Sequence, residues 1–275
     1  MAARMLSQPL NSPPGHFGSP LVGDLDAERA LRPQPPLDGI DLRREQQLAL
    51  LGALAPHWER FLANRDQLRL YRPVPIFPLT DATVYASVIL HNRPKRIIEI
   101  GSGYSSALAL DVCRMEGLDT RLTFIEPFPD ERLTGLVAGL APERFDIRPM
   151  PVQDVPLTLF DELGDGDILF VDGSHIVKAG SDTAWVVFNV LPRLASGVVV
   201  QIHDMFWPFE YPTAWLRDGR SFNEIYLVRA FLEFNSDFRI ELFTNWAWRE
   251  CPTEFDGLRA AVGDAWPASL YLRRV

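Results

Sequence analysis

The arrangement of apolar and polar residues changes character twice along the chain. Residues 1–37 hold seven of the 23 prolines and follow neither a helical nor a strand rhythm, which predicts irregular structure. Within them, Pro13-Pro14-Gly15-His16-Phe17 is too hydrophobic for a plain solvated tail. From 41 to about 64 the pattern is helical: Leu48, Leu51, Leu54, Trp58, Phe61 and Leu62 recur mostly at spacings of three and four and share one face. Pro56 interrupts this pattern and predicts a kink or a split near Ala55. A proline-rich connector, 71–78, leads to Thr80, an N-cap candidate for a helix reaching about His91.

Beyond residue 95 short, β-branched apolar runs alternate with helical segments. The runs 96–100, 122–125, 145–149, 168–171 and 198–202 predict strands, and 105–116, 130–139, 156–163 and 181–195 predict the helices between them. Such alternation implies parallel pairing through right-handed crossovers. A continuous run such as Val198-Val199-Val200 suits a strand buried on both faces. An aromatic loop follows at 205–220. Ser221-Phe222-Asn223-Glu224 then has the capping-box form and predicts a helix to about Phe234. Two last strands, 238–244 and 270–273, enclose a segment with Trp246, Trp248 and Cys251. The expected organisation is an N-terminal arm and helix over 1–79, a lid candidate, and an α/β core over 80–275.

Composition narrows the class. With 27 Lys and Arg against 36 Asp and Glu the formal charge is −9, which disfavours a general nucleic-acid binder. The hydrophobic fraction of 47% fits a chain with a full core rather than a disordered one. No run of 18 apolar residues predicts a membrane span, and the first 36 residues lack the apolar segment of a signal peptide. Cys113 and Cys251 are too few for a disulfide framework, so the expected setting is cytoplasmic, with reduced thiols.

The most informative stretch is Glu99-Ile100-Gly101-Ser102-Gly103-Tyr104-Ser105-Ser106, a strand running through Gly-x-Gly into a helix. Glycines there let the backbone turn tightly and approach a ligand, and the helix start offers free N–H groups. In a doubly wound sheet this first turn receives a nucleotide-like ligand. Ser106 stands where a dinucleotide fingerprint has its third glycine, and Glu99 is unusual for such a site; a carboxylate there suits a cationic ligand. Glu126 ends the second strand, where a carboxylate can accept ribose hydroxyls.

Glu99–Gly103 resembles the first motif of class I S-adenosylmethionine-dependent methyltransferases, and Phe124-Ile125-Glu126-Pro127 resembles their second. The resemblance spans roughly 75–275. Asp172-Gly173-Ser174-His175 and the run 197–204 direct it towards the branch with macrolide-sugar and catechol-type O-methyltransferases. It implies a Rossmann-like, doubly wound seven-stranded sheet, mostly parallel with the last strand antiparallel. It further implies that Glu99, Gly101, Ser102 and Gly103 face the methionine half of S-adenosylmethionine, with Tyr104 and Ser105 also at the cofactor. Glu126 would hold its ribose hydroxyls, Gln153 and Asp154 would lie near its adenine, and Asp172 would complete the cofactor site.

Strand four ends in Asp172 to His175 and strand five in His203-Asp204, at the carboxyl edge where such sheets bind ligands. His203 or His175 could serve as the base for methyl transfer to an oxygen. Alternatively, Asp172, His203 and Asp204 could hold one divalent ion. Catechol-type relatives carry Asp-Asn at the second position, and the histidine here departs from that oxygen-only set. Trp207, Tyr211 and Trp215 in the aromatic loop, with His16 and Phe17 of the arm, are candidates for the acceptor pocket. The expected function is O-methylation of a small polar molecule, with no nucleic-acid or membrane partner and a homodimer left open. The alternatives are an NAD-dependent oxidoreductase on a similar sheet and a non-catalytic cofactor-binding module.

Overall fold

The structure, a computed structural model, describes residues 12–33, 36–140 and 144–275; the irregular stretch expected at 1–37 lies partly outside them. Seven strands form one sheet: β1 (Arg96–Ile100), β2 (Arg121–Ile125), β3 (Phe145–Arg148), β4 (Ile168–Val171), β5 (Val199–His203), β6 (Phe238–Phe243) and β7 (Ser269–Arg274). Their order is β3-β2-β1-β4-β5-β7-β6. The first five pair in parallel, and β7 inserts antiparallel between β5 and β6. Strand order reverses between β1 and β4, which opens the crevice where ligands bind in such sheets.

The helices are α1 (Asp24–Ala30), α2 (Arg44–Ala63), α3 (Leu79–Asn92), α4 (Tyr104–Met115), α5 (Leu133–Leu136), α6 (Asp182–Trp185), α7 (Thr213–Arg217), α8 (Glu224–Glu233), α9 (Thr244–Glu250) and α10 (Asp256–Val262). Three departures from the sequence pattern have physical reasons. Pro56 neither splits nor ends α2. It lies on the exposed side, and the carbonyl it leaves without a donor belongs to exposed Gly52, where water can reach it. The helix expected at 181–195 begins as α6, then passes through a π turn (Val186–Val190) and a 3-10 turn (Leu191–Arg193) enforced by Pro192. The capping box at Ser221 does not form. Ser221 Oγ accepts from Val22 N–H instead, α8 starts at Glu224, and the Glu224 side chain is committed elsewhere.

The N-terminal segment joins the core rather than standing off it. Leu51, Leu54, Trp58 and Phe61 of α2 share one hydrophobic cluster with Val200 of β5 and Leu272 of β7. Gln47, fully buried, accepts the N–H of Phe243 at 2.7 Å and so pins α2 to the end of β6. Asp111 of α4 is the second tie: its buried carboxylate accepts the backbone N–H groups of Arg69, Leu70 and Tyr71 at 2.7–3.1 Å. One side chain thereby fixes the start of the 71–78 connector, which leads to the ligand crevice.

Removing that carboxylate leaves three backbone donors without an acceptor, each worth roughly 1–3 kcal/mol if it stays dry. Asp111→Ala is expected to lower unfolding free energy by about 3 kcal/mol. Urea denaturation checks this, and an unchanged midpoint would show that the connector is held by packing alone.

Candidate active site

The carboxyl ends of β1, β2, β4 and β5 deliver Gly101, Glu126, Asp172 and Asp204 to one edge. Gly101 adopts φ +78°, and a Cβ there would lie 1.8 Å from the Asp172 carbonyl oxygen. Only glycine permits this contact. Gly101 N–H donates to Ile125 O at 3.0 Å and Asp172 N–H to Ile100 O at 2.8 Å, so the three strand ends lock together.

Glu99 departs from the sequence reading. It is fully buried, and its two oxygens accept from the hydroxyls of Ser105 and Ser106, the latter at 2.7 Å. Ser106 Oγ in turn accepts the Gly103 N–H at 2.9 Å. Glu99 therefore turns inward and sets the shape of the glycine loop instead of facing a ligand, while Ser105, which it holds, still borders the cavity above the loop. The serine at the third-glycine position is a working part of this link. Burial pushes the Glu99 carboxyl up to about 8, against the pull of the two serine hydroxyls.

A cavity of about 220 Å³ sits over the loop, lined by Gly101, Ser102, Gly103, Tyr104, Ser105, Glu126, Arg132 and Asp172, with Ile76 and Phe77 from the connector. Glu126 accepts the N–H groups of Ser102 at 3.2 Å and Phe128 at 2.9 Å, which aims it across the end of β2. Among the described residues, Ser102 Oγ is buried without a hydrogen-bond partner. An orphan hydroxyl in the wall and a carboxylate at the strand end are groups a polar, hydroxyl-bearing ligand would satisfy. Gln153 and Asp154 lie outside this lining. Gln153 donates to Gly180 O at 2.8 Å, and Asp154 faces a separate surface cleft.

Asp172 also lines a second cavity of about 580 Å³, together with Asp81, His175, His203 and Asp204. Its aromatic side comprises Phe206, Trp215, Phe222 and Trp266. Of the expected acceptor residues, Trp215 reaches this lining. Tyr211 is buried behind it, against Phe206, Trp215 and Phe222. Trp207 packs on Phe209 and Phe243 instead. His16 and Phe17 stack on each other at the surface, Phe17 98% exposed, because Gly18 N–H closes a tight turn on His16 Nδ1. The connector, through Pro75, Ile76 and Pro78, makes the contact expected of the arm.

At the join of the two cavities, one oxygen each of Asp172 and Asp204 and one nitrogen of His203 lie within 4.8 Å of one another. His203 Nδ1 is 3.6 Å from Asp172 Oδ1 and 3.5 Å from Asp204 Oδ1. Donors at that spacing can share an ion about 2.0–2.2 Å from each. His175 Nε2 stands 3.3 Å from both Asp172 Oδ1 and Asp204 Oδ2, and its Nδ1 is 2.8 Å from Glu224 Oε2. His175 and Asp204 both hold left-handed backbones, φ +58° and +56°, a strain characteristic of functional sites.

The charges decide what these groups can do. Burial opposes protonation of His203, but Asp172 and Asp204 outweigh it and raise the imidazole to about 10. His175 is likewise raised well above the ordinary range, with Asp172 and Glu224 overcoming its burial. Burial would raise Asp172, yet His203 and His175 hold it below the usual carboxylate range. Burial keeps Asp204 above that range despite the same two imidazoles. In the ion-free chain the surrounding carboxylates thus favour the protonated form of both imidazoles. Sequence reasoning also missed Asp81, 3.9 Å from His203 Nε2, and Glu224, which the capping-box pattern disguised as a helix-start residue. For Asp81 no local signal existed.

Because Glu99 is raised in the folded state, the folded chain keeps a proton that the unfolded chain releases from about pH 4.5 upward. Its contribution to stability is present below that window and declines as pH rises to about 8. Relative to Glu99→Gln, the wild-type urea midpoint is expected to fall across pH 5–8, values set by that same window. Parallel profiles would mean that Glu99 is ionised throughout.

A family model described as a methyltransferase domain matches residues 98–205, the run carrying the glycine loop, Glu126, Asp172, His175, His203 and Asp204. An uncharacterized protein of Archaeoglobus fulgidus is 34% identical over 169 residues, 57% of this chain and 75% of its own. Among solved structures, an O-methyltransferase from Bacillus cereus in complex with S-adenosylhomocysteine is 14% identical, with a TM-score of 0.47 over 92% of this chain and 96% of its own. The Podospora anserina methyltransferase PaMTH1, also bound to S-adenosylhomocysteine, is 18% identical, with a TM-score of 0.44 over 81% and 88%. With its motif-bearing strands matched to a methyltransferase domain, its Gly-x-Gly loop at the β1–β4 switch point and an antiparallel β7 beyond it, the segment 98–205 is a methyltransferase domain of the class I, S-adenosylmethionine-dependent type.

Proposed function

We propose that this enzyme methylates a hydroxyl oxygen of a small polar molecule, with Asp172, His203 and Asp204 holding a divalent cation beside the reacting oxygen. The observation that carries this reading is the shared wall. Asp172 lines both the cavity over the glycine loop and the larger aromatic cavity, and the three-donor cluster stands where the two meet. In this reading the smaller cavity takes the cofactor and the larger one the acceptor. When bound, the cofactor supplies an electrophilic methyl group on a sulfonium, which an oxygen nucleophile takes with release of S-adenosylhomocysteine. The ion supplies Lewis-acid character that makes an acceptor hydroxyl easier to ionise.

The chain's own groups do the rest. Glu126 orients the cofactor by accepting ribose hydroxyls, and the orphan Ser102 hydroxyl faces the same ligand. The Asp204 Oδ atom that does not hold the ion takes the hydroxyl proton. Glu224 holds His175 from its far side, and the α8 start binds the same loop through the N–H groups of Asn223 and Glu224 on His175 O. Phe206, Trp215 and Phe222 exclude water from the acceptor. Two carboxylates and one imidazole suit an ion that takes both oxygen and nitrogen ligands, such as Mn²⁺, better than the oxygen-preferring Mg²⁺. Among the described residues, no helix is long and apolar enough to cross a membrane.

A second reading rests on His175. Its imidazolium already balances Asp172 and Asp204 at 3.3 Å each, so the cluster could position the acceptor without an ion. Chelation separates the two readings. Treatment with EDTA is expected to abolish release of S-adenosylhomocysteine, and added Mg²⁺ or Mn²⁺ to restore it; full turnover after chelation would leave the ion-free reading. Calorimetry tests the cofactor half. Glu126→Ala is expected to weaken S-adenosylmethionine binding by about 1–3 kcal/mol, since charge-assisted hydrogen bonds are lost. Unaltered affinity would take Glu126 out of the site.

A further inference from the structure

We propose that the acceptor is a hydroxylated aromatic compound carrying an anionic group, and that Arg220 at the rim of the acceptor cavity selects for it. The inference rests on the assignment of the larger cavity to the acceptor and adds the chemistry of the molecule that fills it.

The cavity has three kinds of wall. One end is acidic, formed by Asp81, Asp172 and Asp204 around His203. The side is aromatic: Phe206 meets Trp215 edge-on at 5.2 Å and Trp266 at 5.6 Å. The rim is cationic and carries Arg132 and Arg220. Its volume of about 580 Å³ admits a substituted ring and lies within the range of small-molecule sites.

Arg220 is held in place without being neutralised. Its guanidinium stacks on Trp215, 4.7 Å from the ring centroid, and Tyr211 stacks behind the same indole at 6.1 Å. The backbone N–H of Arg220 donates to Trp215 O at 3.0 Å, which closes the turn after α7 and points the side chain back over the indole. Among the described residues the guanidinium has no hydrogen-bond or ion-pair partner. Other arginines of this acidic chain do: Arg273 with Glu241 at 2.7 Å and Arg229 with Glu233 at 2.9 Å. A fixed fork of N–H donors, stacked and unpaired at the mouth of a cavity, fits a carboxylate, sulfate or phosphate.

The two arginines divide the work by position. Arg132 lines both cavities, its guanidinium lies over Tyr104, and its side chain crowds the Cβ direction of Gly103. It is therefore placed towards the cofactor. Arg220 lines the acceptor cavity and not the cofactor cavity. The acidic end sets the orientation of the acceptor. An anionic group would be repelled by Asp172 and Asp204, so it must lie at the rim, which leaves the hydroxyl at the carboxylate end beside the cofactor cavity. The ring between them lies against the aromatic side.

Caffeic acid and its methyl ester differ in charge but share the hydroxylated ring, and they serve as probes. Calorimetric titration into the full chain with S-adenosylhomocysteine and Mg²⁺ is expected to show about tenfold tighter binding of the acid, the scale of a charge-assisted hydrogen bond. In Arg220→Gln the acid-to-ester ratio is expected to fall to about one, while Arg220→Lys keeps part of the preference because it keeps the charge. Equal affinities in the wild type, a preference that survives Arg220→Gln, or no binding of either probe would overturn the proposal. Methyl transfer from S-adenosylmethionine is followed separately. An Arg220-dependent preference for the acid without transfer would count against O-methylation and leave the anion-selecting rim standing.

Discussion

Gly101 and Asp172 meet backbone to backbone at the open edge of the sheet, with no room for a side chain between them. This contact fixes the width of the crevice between β1 and β4. On its β1 side it presents the glycine loop, and on its β4 side the Asp172 carboxylate, which faces both cavities. Glu99 supports the arrangement from below by fastening Ser105 and Ser106, and through Ser106 the Gly103 N–H. A buried carboxylate is costly, and this one is offset only by two hydroxyl donors, which is why burial raises it so far. The site geometry is thus bought with a desolvated acid lying outside the ligand cavity.

A second constraint is charge. Asp172, Asp204 and Glu224 surround His175, and Asp81, Asp172 and Asp204 surround His203. The neighbours of each imidazole favour its protonated form, and each carboxylate depends on an imidazole for balance. Such a cluster tolerates exchange of one cation for another. A divalent ion bound by His203 must displace the proton from that ring, so ion binding and proton release are linked. The left-handed backbones of His175 and Asp204 show that the chain accepts local strain to bring these groups together.

Much of the fold was legible because its strands are continuous apolar runs punctuated by glycine. The pattern located all seven strands to within a residue or two and gave the parallel pairing that puts the carboxyl ends carrying Glu126, Asp172, His203 and Asp204 on one edge. The helices were harder to read. Pro56 sits in α2 because its orphan carbonyl faces water, a fact of burial that periodicity does not carry. Glu224 had a plausible local role as a capping acid, and only the tertiary approach of α8 to the β4 loop shows its bond to His175. Asp81 meets His203 across 122 positions of sequence, beyond any spacing rule. Glu99 was expected to face a ligand because a carboxylate beside a glycine loop suits a cation, but its partners were the serines six and seven positions ahead. Exposed His16 and Phe17 show the converse, since hydrophobicity in an irregular arm does not say where the arm lies.

The central claim is that cofactor, ion and acceptor meet at Asp172. The most direct test is a crystal structure of the protein with S-adenosylhomocysteine and Mn²⁺, read by the anomalous signal of the metal. The account predicts one manganese peak among Asp172, His203 and Asp204, with the cofactor over Gly101–Gly103 and its sulfur directed towards the larger cavity. S-adenosylhomocysteine bound elsewhere, or bound over the glycine loop with no manganese in the cluster, would contradict it.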